Sequence, residues 1–108
     1  RVIEEKEHAE TSWFGVPIVC EDGPVSTNKH HLVKYLEDNK IQTRNYFAGN
    51  ILMHPGYRHI EPASNYPNAS KVLDNVFFVG CSPVITDPML DYIEKTVQQY
   101  KTLFHHAV

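Results

Sequence analysis

A chain of 108 residues, 42% hydrophobic and 21% charged, has the balance of one ordinary globular domain. Folding at this size buries roughly two thirds of the unfolded surface, which suffices for one modest core and argues against a deep cofactor cavity as well. A net charge of −3 with histidine neutral excludes a basic stripe that would follow a phosphate backbone, so nucleic acid is not an expected partner.

In chain order, residues 1–10 are charged where a signal peptide would be apolar, and no apolar run approaches the roughly 18 to 20 residues of a membrane span. We therefore expect a cytoplasmic protein with no membrane partner. The first residue is Arg1 rather than methionine, and the expectation is a piece of a longer chain. Residues 12–20 carry Trp13, Phe14, Val16, Ile18 and Val19, a β-rich run that Pro17 marks as an edge strand or bulge. Glu21, Asp22, Gly23 and Pro24 form the turn after it.

With Ser26 or Thr27 as N-cap, a helix is expected over residues 28–39, turning Leu32, Val33 and Leu36 inward. Residues 41–47 make a second strand. Residues 48–67 bring Gly49, Pro55, Gly56, Pro62 and Pro67 into a stretch where neither period holds. So long a loop in a compact domain is usually functional or disordered, and Ile51, Leu52, Met53, Tyr57 and Tyr66 argue against disorder. A short helix over residues 68–74 has Val72 and Leu73 inward, and residues 76–81 are apolar almost throughout, hence a central strand. Thr86, Asp87 and Pro88 open a last helix, whose Met89, Ile93, Val97, Tyr100 and Phe104 recur at helical spacing and face inward.

These elements specify an α+β fold. It is a two-layer α/β sandwich, with a small, mainly antiparallel sheet of about three strands and helices on one face. The other face needs a partner, which would explain Trp13, Phe14 and the aromatic loop residues. The whole of residues 1–108 reads as one small domain with its core at about residues 11–104.

Seven histidines invite a metal reading that their spacing resists: His30 and His31 are adjacent, His105 and His106 lie at the end, and His54 and His59 are five apart. None has the i, i+4 geometry of a helical zinc site. Cys20 and Cys81 fall in expected strand interiors and read as buried free thiols. Lys29, Lys34, Lys40, Lys71, Lys95 and Lys101 fall on polar helix faces or ends, and no Gly-rich strand-to-helix loop marks a phosphate site. No catalytic residue is therefore assigned. The richest cluster spans residues 42–50, where Arg44 can meet a phosphate or carboxylate and Asn50 can bond a hydroxyl or keto oxygen. Equally, Asn45 and Asn50 can be turn formers, Gly49 can supply a positive φ, and Tyr46 and Phe47 can be core.

The run IQTRNYFAGN at residues 41–50 resembles the "IxTRxxFAGN" segment of the DegT-type sugar aminotransferase and dehydratase family. SWFGVPIV at residues 12–19 resembles the strand that opens the small domain in its 4-keto-6-deoxyhexose 3-dehydratase branch, and VFFVGCSPVIT resembles the closing strand and the approach to the last helix. The resemblance covers most of residues 11–104. It implies the C-terminal small domain of a fold-type-I, pyridoxal-phosphate-dependent transferase whose large domain, absent here, holds the cofactor. In that branch pyridoxamine phosphate condenses with the 4-keto group, and a histidine stands where aminotransferases have their Schiff-base lysine. That histidine belongs to the large domain, so none of the seven here inherits its role. By position in the motif, Arg44, Phe47, Asn50 and His54 are the implied substrate contacts.

The expected function is thus a C-terminal fragment, inactive alone and without its own cofactor, of a homodimeric enzyme acting on CDP- or GDP-linked sugars for O-antigen and lipopolysaccharide synthesis. The small domain of a sugar aminotransferase, a stand-alone sugar- or nucleotide-binding module, and an interaction module pairing through its exposed sheet face are the alternatives.

Overall fold

The computed structural model describes residues 1–21 and 28–104. Its elements run β1 (Val16–Val19), α1 (Lys29–Asp38), β2 (Thr43–Asn45), α2 (Pro67–Asn75), β3 (Val76–Val79) and α3 (Asp87–Phe104), with 3₁₀ turns at Ile51–Met53 and Ala63–Asn65. The strands form an antiparallel sheet in the order β1-β3-β2. The continuous apolar run VFFV takes the central position, as expected, because it alone is buried on both faces.

Register assigns the faces. Ile18 and Asn45 lie opposite Phe77, whereas Pro17 and Arg44 lie opposite Phe78. Against the Phe77 side pack Leu32, Val33 and Leu36 from α1 and Ile93 and Val97 from α3, closing a core around Cys20, Leu36, Ile41 and Phe77. Phe77 is 0% exposed, and burying a side chain of this kind contributes about 1.5–3 kcal/mol.

The helix ends explain where the strands start. Asn28 caps α1 by accepting from His31 N–H at 2.8 Å; the expected caps, Ser26 and Thr27, and most of the expected turn lie outside the described residues. At the other end, Lys40 adopts φ 65°, its N–H donates to Glu37 O at 3.0 Å, and Ile41 N–H donates to Leu36 O at 2.9 Å. With Leu36 and Ile41 both buried, this is a Schellman stop whose left-handed position is held by lysine instead of glycine. Lys40→Gly is therefore expected to raise the unfolding free energy in urea by about 0.5–1 kcal/mol; an unchanged or lower midpoint contradicts it.

Glu37 ties α1 to β2. Its Oε1 accepts from Thr43 N–H at 2.6 Å and Thr43 Oγ1 at 2.8 Å, and these two bonds, the backbone one first, hold its carboxyl below the ordinary carboxylate range. A depressed folded-state value contributes stability above the unfolded value, about 4.3, and that contribution disappears as pH falls through the folded value. Urea midpoints of wild type and Glu37→Gln should thus converge as pH falls through the carboxylate range. A constant difference down to pH 2 rules out this linkage.

Several expectations need correcting. The first strand covers Val16–Val19 rather than residues 12–20, because the chain bends at Phe14 and Gly15 and Phe14 turns onto Phe78. The second is Thr43–Asn45 rather than residues 41–47: Ile41 closes the helix stop, and Phe47 N–H turns back to Asn45 O at 2.8 Å. Helix α2 begins at Pro67, inside the expected loop, with proline at its first position. Cys20 and Cys81 lie just beyond β1 and β3 rather than inside them; Cys20 is buried, which pushes its thiol up, and Cys81 is half-buried. Met89, expected inward, is exposed.

The outer edge of β1 carries an unexpected strap. Val2 bridges Ile18, Ile3 N–H donates to Pro17 O at 3.2 Å and Val19 N–H to Arg1 O at 2.7 Å. The N–H that Pro17 lacks would point to this outer side, so proline interrupts no bond of the β1-β3 ladder. Among the described residues, no helix is long and apolar enough to cross a membrane.

Candidate functional site

The segment leaving β2 is built by two residues that sequence reasoning singled out. Gly49 has φ 62°, and a Cβ there would stand 2.6 Å from Leu73 Cβ and 2.7 Å from Leu73 Cα, so glycine lets the loop lie directly on α2. Asn50 is 2% exposed. Its Oδ1 accepts from Leu52 N–H at 3.1 Å, while Nδ2 donates to Ala63 O at 3.1 Å and Ser70 Oγ at 3.0 Å. One amide thereby joins the first 3₁₀ turn, the second 3₁₀ turn and α2. His54 Nε2 lies 2.8 Å from Ala48 O, an acceptor only, so Nε2 carries the proton there.

The sheet face opposite α1 and α3 is aromatic. Phe78 is buried under Phe14, Tyr46 and Phe47, with ring centroids 5.8, 6.3 and 6.1 Å away. A Cβ on Gly15 would run into the Phe78 ring. Tyr46 and Phe47 are thus surface residues rather than core. Phe14 is 78% and Phe47 68% exposed, and Phe47 holds φ 52°, a left-handed conformation that costs a bulky residue about 1–3 kcal/mol.

Arg44 shares this face by register and is exposed. It also lines a cleft of about 480 Å³ between the β2 edge and the start of α3, with Lys40, Gln42, Met89, Tyr92 and Ile93 among its walls. The fold therefore places Arg44 and Phe47 on one aromatic surface and puts His54 and Asn50 in the adjoining loop. Of the four expected contacts, only Arg44 lines the cleft. Met89 and Tyr92 were missed as cleft residues because their helical spacing gave no sign of which part of α3 lies clear of the sheet.

A family model described as the DegT/DnrJ/EryC1/StrS aminotransferase family matches residues 1–98. The chain belongs to this family. Two of its relatives are a dTDP-4-dehydro-2,6-dideoxy-D-glucose 3-dehydratase of Saccharopolyspora spinosa and the lipopolysaccharide biosynthesis protein RfbH of Salmonella typhimurium. The first is 35% identical over 95 residues, 86% of this chain and 20% of that protein. The second is 30% identical over 99 residues, 90% of this chain and 22% of that protein. This DegT-family chain spans about a fifth of the length of the curated relatives it matches.

Members of the family depend on pyridoxal phosphate, which needs a carboxylate or arginine partner for its ring nitrogen and a phosphate cup. Among the described residues, the cleft lining offers Arg44 but no carboxylate, serine or threonine, so it builds no hydroxyl-lined phosphate cup for the cofactor. Nor does the half-buried Lys29 offer a free amine, since its Nζ donates to Leu73 O at 2.7 Å. Burial lowers the Lys29 pKa, but the ammonium serves to hold the end of α2 against α1.

Proposed function

We propose that this chain is the C-terminal small domain of a pyridoxal-phosphate-dependent enzyme acting on a nucleotide-linked sugar, a 4-keto-6-deoxyhexose 3-dehydratase of deoxysugar and O-antigen synthesis. The observation that carries this reading is 35% identity, across 86% of the chain, to a relative named as a 3-dehydratase of a dTDP-linked keto sugar. The cofactor sits in a large domain outside these residues, and the chain is inactive without it. That domain covers the Phe14 and Phe47 surface in a homodimeric parent enzyme. Such an arrangement accounts for two large apolar rings left in water, one of them in a strained backbone conformation.

In this arrangement Arg44 meets a phosphate of the substrate, Phe47 lays its ring against the sugar, and His54 approaches from the loop. Asn50 enters as the positioning residue that sets the loop from beneath, because its amide is engaged inside the chain. The family description favours a second reading, the small domain of a sugar aminotransferase. Reading the frame upstream of the Arg1 codon separates the two. We expect a pyridoxal-phosphate-type large domain with histidine at the Schiff-base position; lysine there selects the aminotransferase, and a stop codon removes both.

A further inference from the structure

The cleft of about 480 Å³ lies within the range of roughly 300–1,000 Å³ typical of small-ligand sites. Much of its lining is apolar, contributed by Ile41, Phe78, Ile85, Met89 and Ile93. Its polar side is the segment from Lys40 to Arg44. Gln42 and Arg44, two residues apart on extended chain, share one side of it. At a strand rise of about 3.3 Å per residue, Lys40 and Arg44 stand up to about 13 Å apart.

Among the described residues, neither the Lys40 ammonium nor the Arg44 guanidinium has a hydrogen bond or ion pair, and no carboxylate lines the cleft. Lys40 also keeps a left-handed backbone that glycine would take at lower cost. Tyr92 offers only its ring, since its hydroxyl donates to Asn39 O at 2.8 Å. An apolar slot with two uncompensated cations on its polar side suits a ligand with a flat apolar body and an anionic end.

The geometry points to the nucleoside diphosphate part of the nucleotide-linked sugar as the occupant, with its base and ribose between Ile85, Met89 and Tyr92 and its phosphates at Lys40 and Arg44. This inference rests on the substrate class proposed above. Because Arg44 shares the sheet face of Phe78, phosphates held there hand the sugar toward the Phe47 ring.

Amide NMR titrations of the 108-residue chain with thymidine diphosphate, inorganic pyrophosphate and thymidine test it. Thymidine diphosphate should shift the amides of residues 40–44 and 85–93 and saturate at lower concentration than either part alone. Arg44→Gln and Lys40→Gln should each weaken it about tenfold, the share of one charge-assisted contact. Met89→Ala should weaken thymidine diphosphate and leave pyrophosphate unaffected. Shifts confined to Phe14 and Phe47, absence of saturable binding, or wild-type affinity in Arg44→Gln would each overturn the assignment. If the parent enzyme dehydrates its sugar while the cleft stays unperturbed, the subsite fails and the proposed function stands. If the cleft binds as expected while the parent turns over no nucleotide-linked sugar, the proposed function fails and the binding site stands.

Discussion

Asn50→Ala is expected to lower the unfolding free energy of this chain by about 2–4 kcal/mol, out of a total of about 5–15 kcal/mol typical of domains. Asn50 is nearly inaccessible to water, and its amide partners the Leu52 N–H, the Ala63 carbonyl and the Ser70 hydroxyl. Truncation leaves these groups unsatisfied at once, at about 1–3 kcal/mol for each that water cannot reach. Asn50→Asp preserves the acceptor toward Leu52 but turns a charged oxygen toward the Ala63 carbonyl, so it should not rescue. Urea unfolding gives the energy, and hydrogen exchange at the Leu52 amide locates it. A loss below about 0.5 kcal/mol, within the usual range for surface substitutions, would mean that the loop does not depend on this amide. In the parent enzyme, wild-type turnover by Asn50→Ala would remove the residue from the substrate site as well.

The second large effect is at Gly49. Gly49→Ala is expected to cost about 2–5 kcal/mol, combining a left-handed φ disfavoured by about 1–2 kcal/mol with an overpacking penalty of about 1–3 kcal/mol. The added carbon meets Leu73 Cβ and Cα at 2.6 and 2.7 Å. A backbone atom cannot swing aside as a side-chain tip can, so the loop or α2 must shift. Gly56→Ala is the matched control, with nothing within 4 Å of its added carbon, and should change stability by less than about 0.5 kcal/mol. Equal urea midpoints for the two variants would contradict the close approach of loop and helix.

Where one side-chain pattern decides an element, the sequence was legible. The apolar run of β3 announced a central strand, and the helical spacing of Ile93, Val97 and Tyr100 announced α3 and its inward face. The positive φ of Gly49 was also foreseeable from its residue type, although the Leu73 backbone that demands it was not. Strand lengths were overestimated because β propensity cannot tell a paired residue from one that bends away to cover a neighbour. Phe14 and Phe47 both do the latter, meeting over Phe78 from segments 33 positions apart with their centroids 6.2 Å apart. The strap at Val2 and Ile3 left no signal, since backbone bonds rather than an apolar pattern attach it.

For the site, the residues of the TRNYFAGN run were visible in the sequence, but the division of labour among them was not. Burial separates Asn50, engaged inside the loop, from Arg44 and Phe47, which face solvent. That separation depends on Ala63 and Ser70, 13 and 20 residues further along the chain. The cleft depends likewise on α3, whose Met89 and Tyr92 meet Lys40 and Arg44 only through the fold.

The most direct measurement of the proposed function is product analysis of the proposed parent enzyme. It would be incubated with pyridoxamine phosphate, a reductant and a nucleotide-linked 4-keto-6-deoxyhexose, and the sugar followed by mass spectrometry and NMR. Loss of the 3-hydroxyl, giving a 3-deoxy sugar without incorporation of nitrogen, is the predicted result. A 4-amino sugar, or an unchanged 3-hydroxyl in fully loaded enzyme, would contradict it.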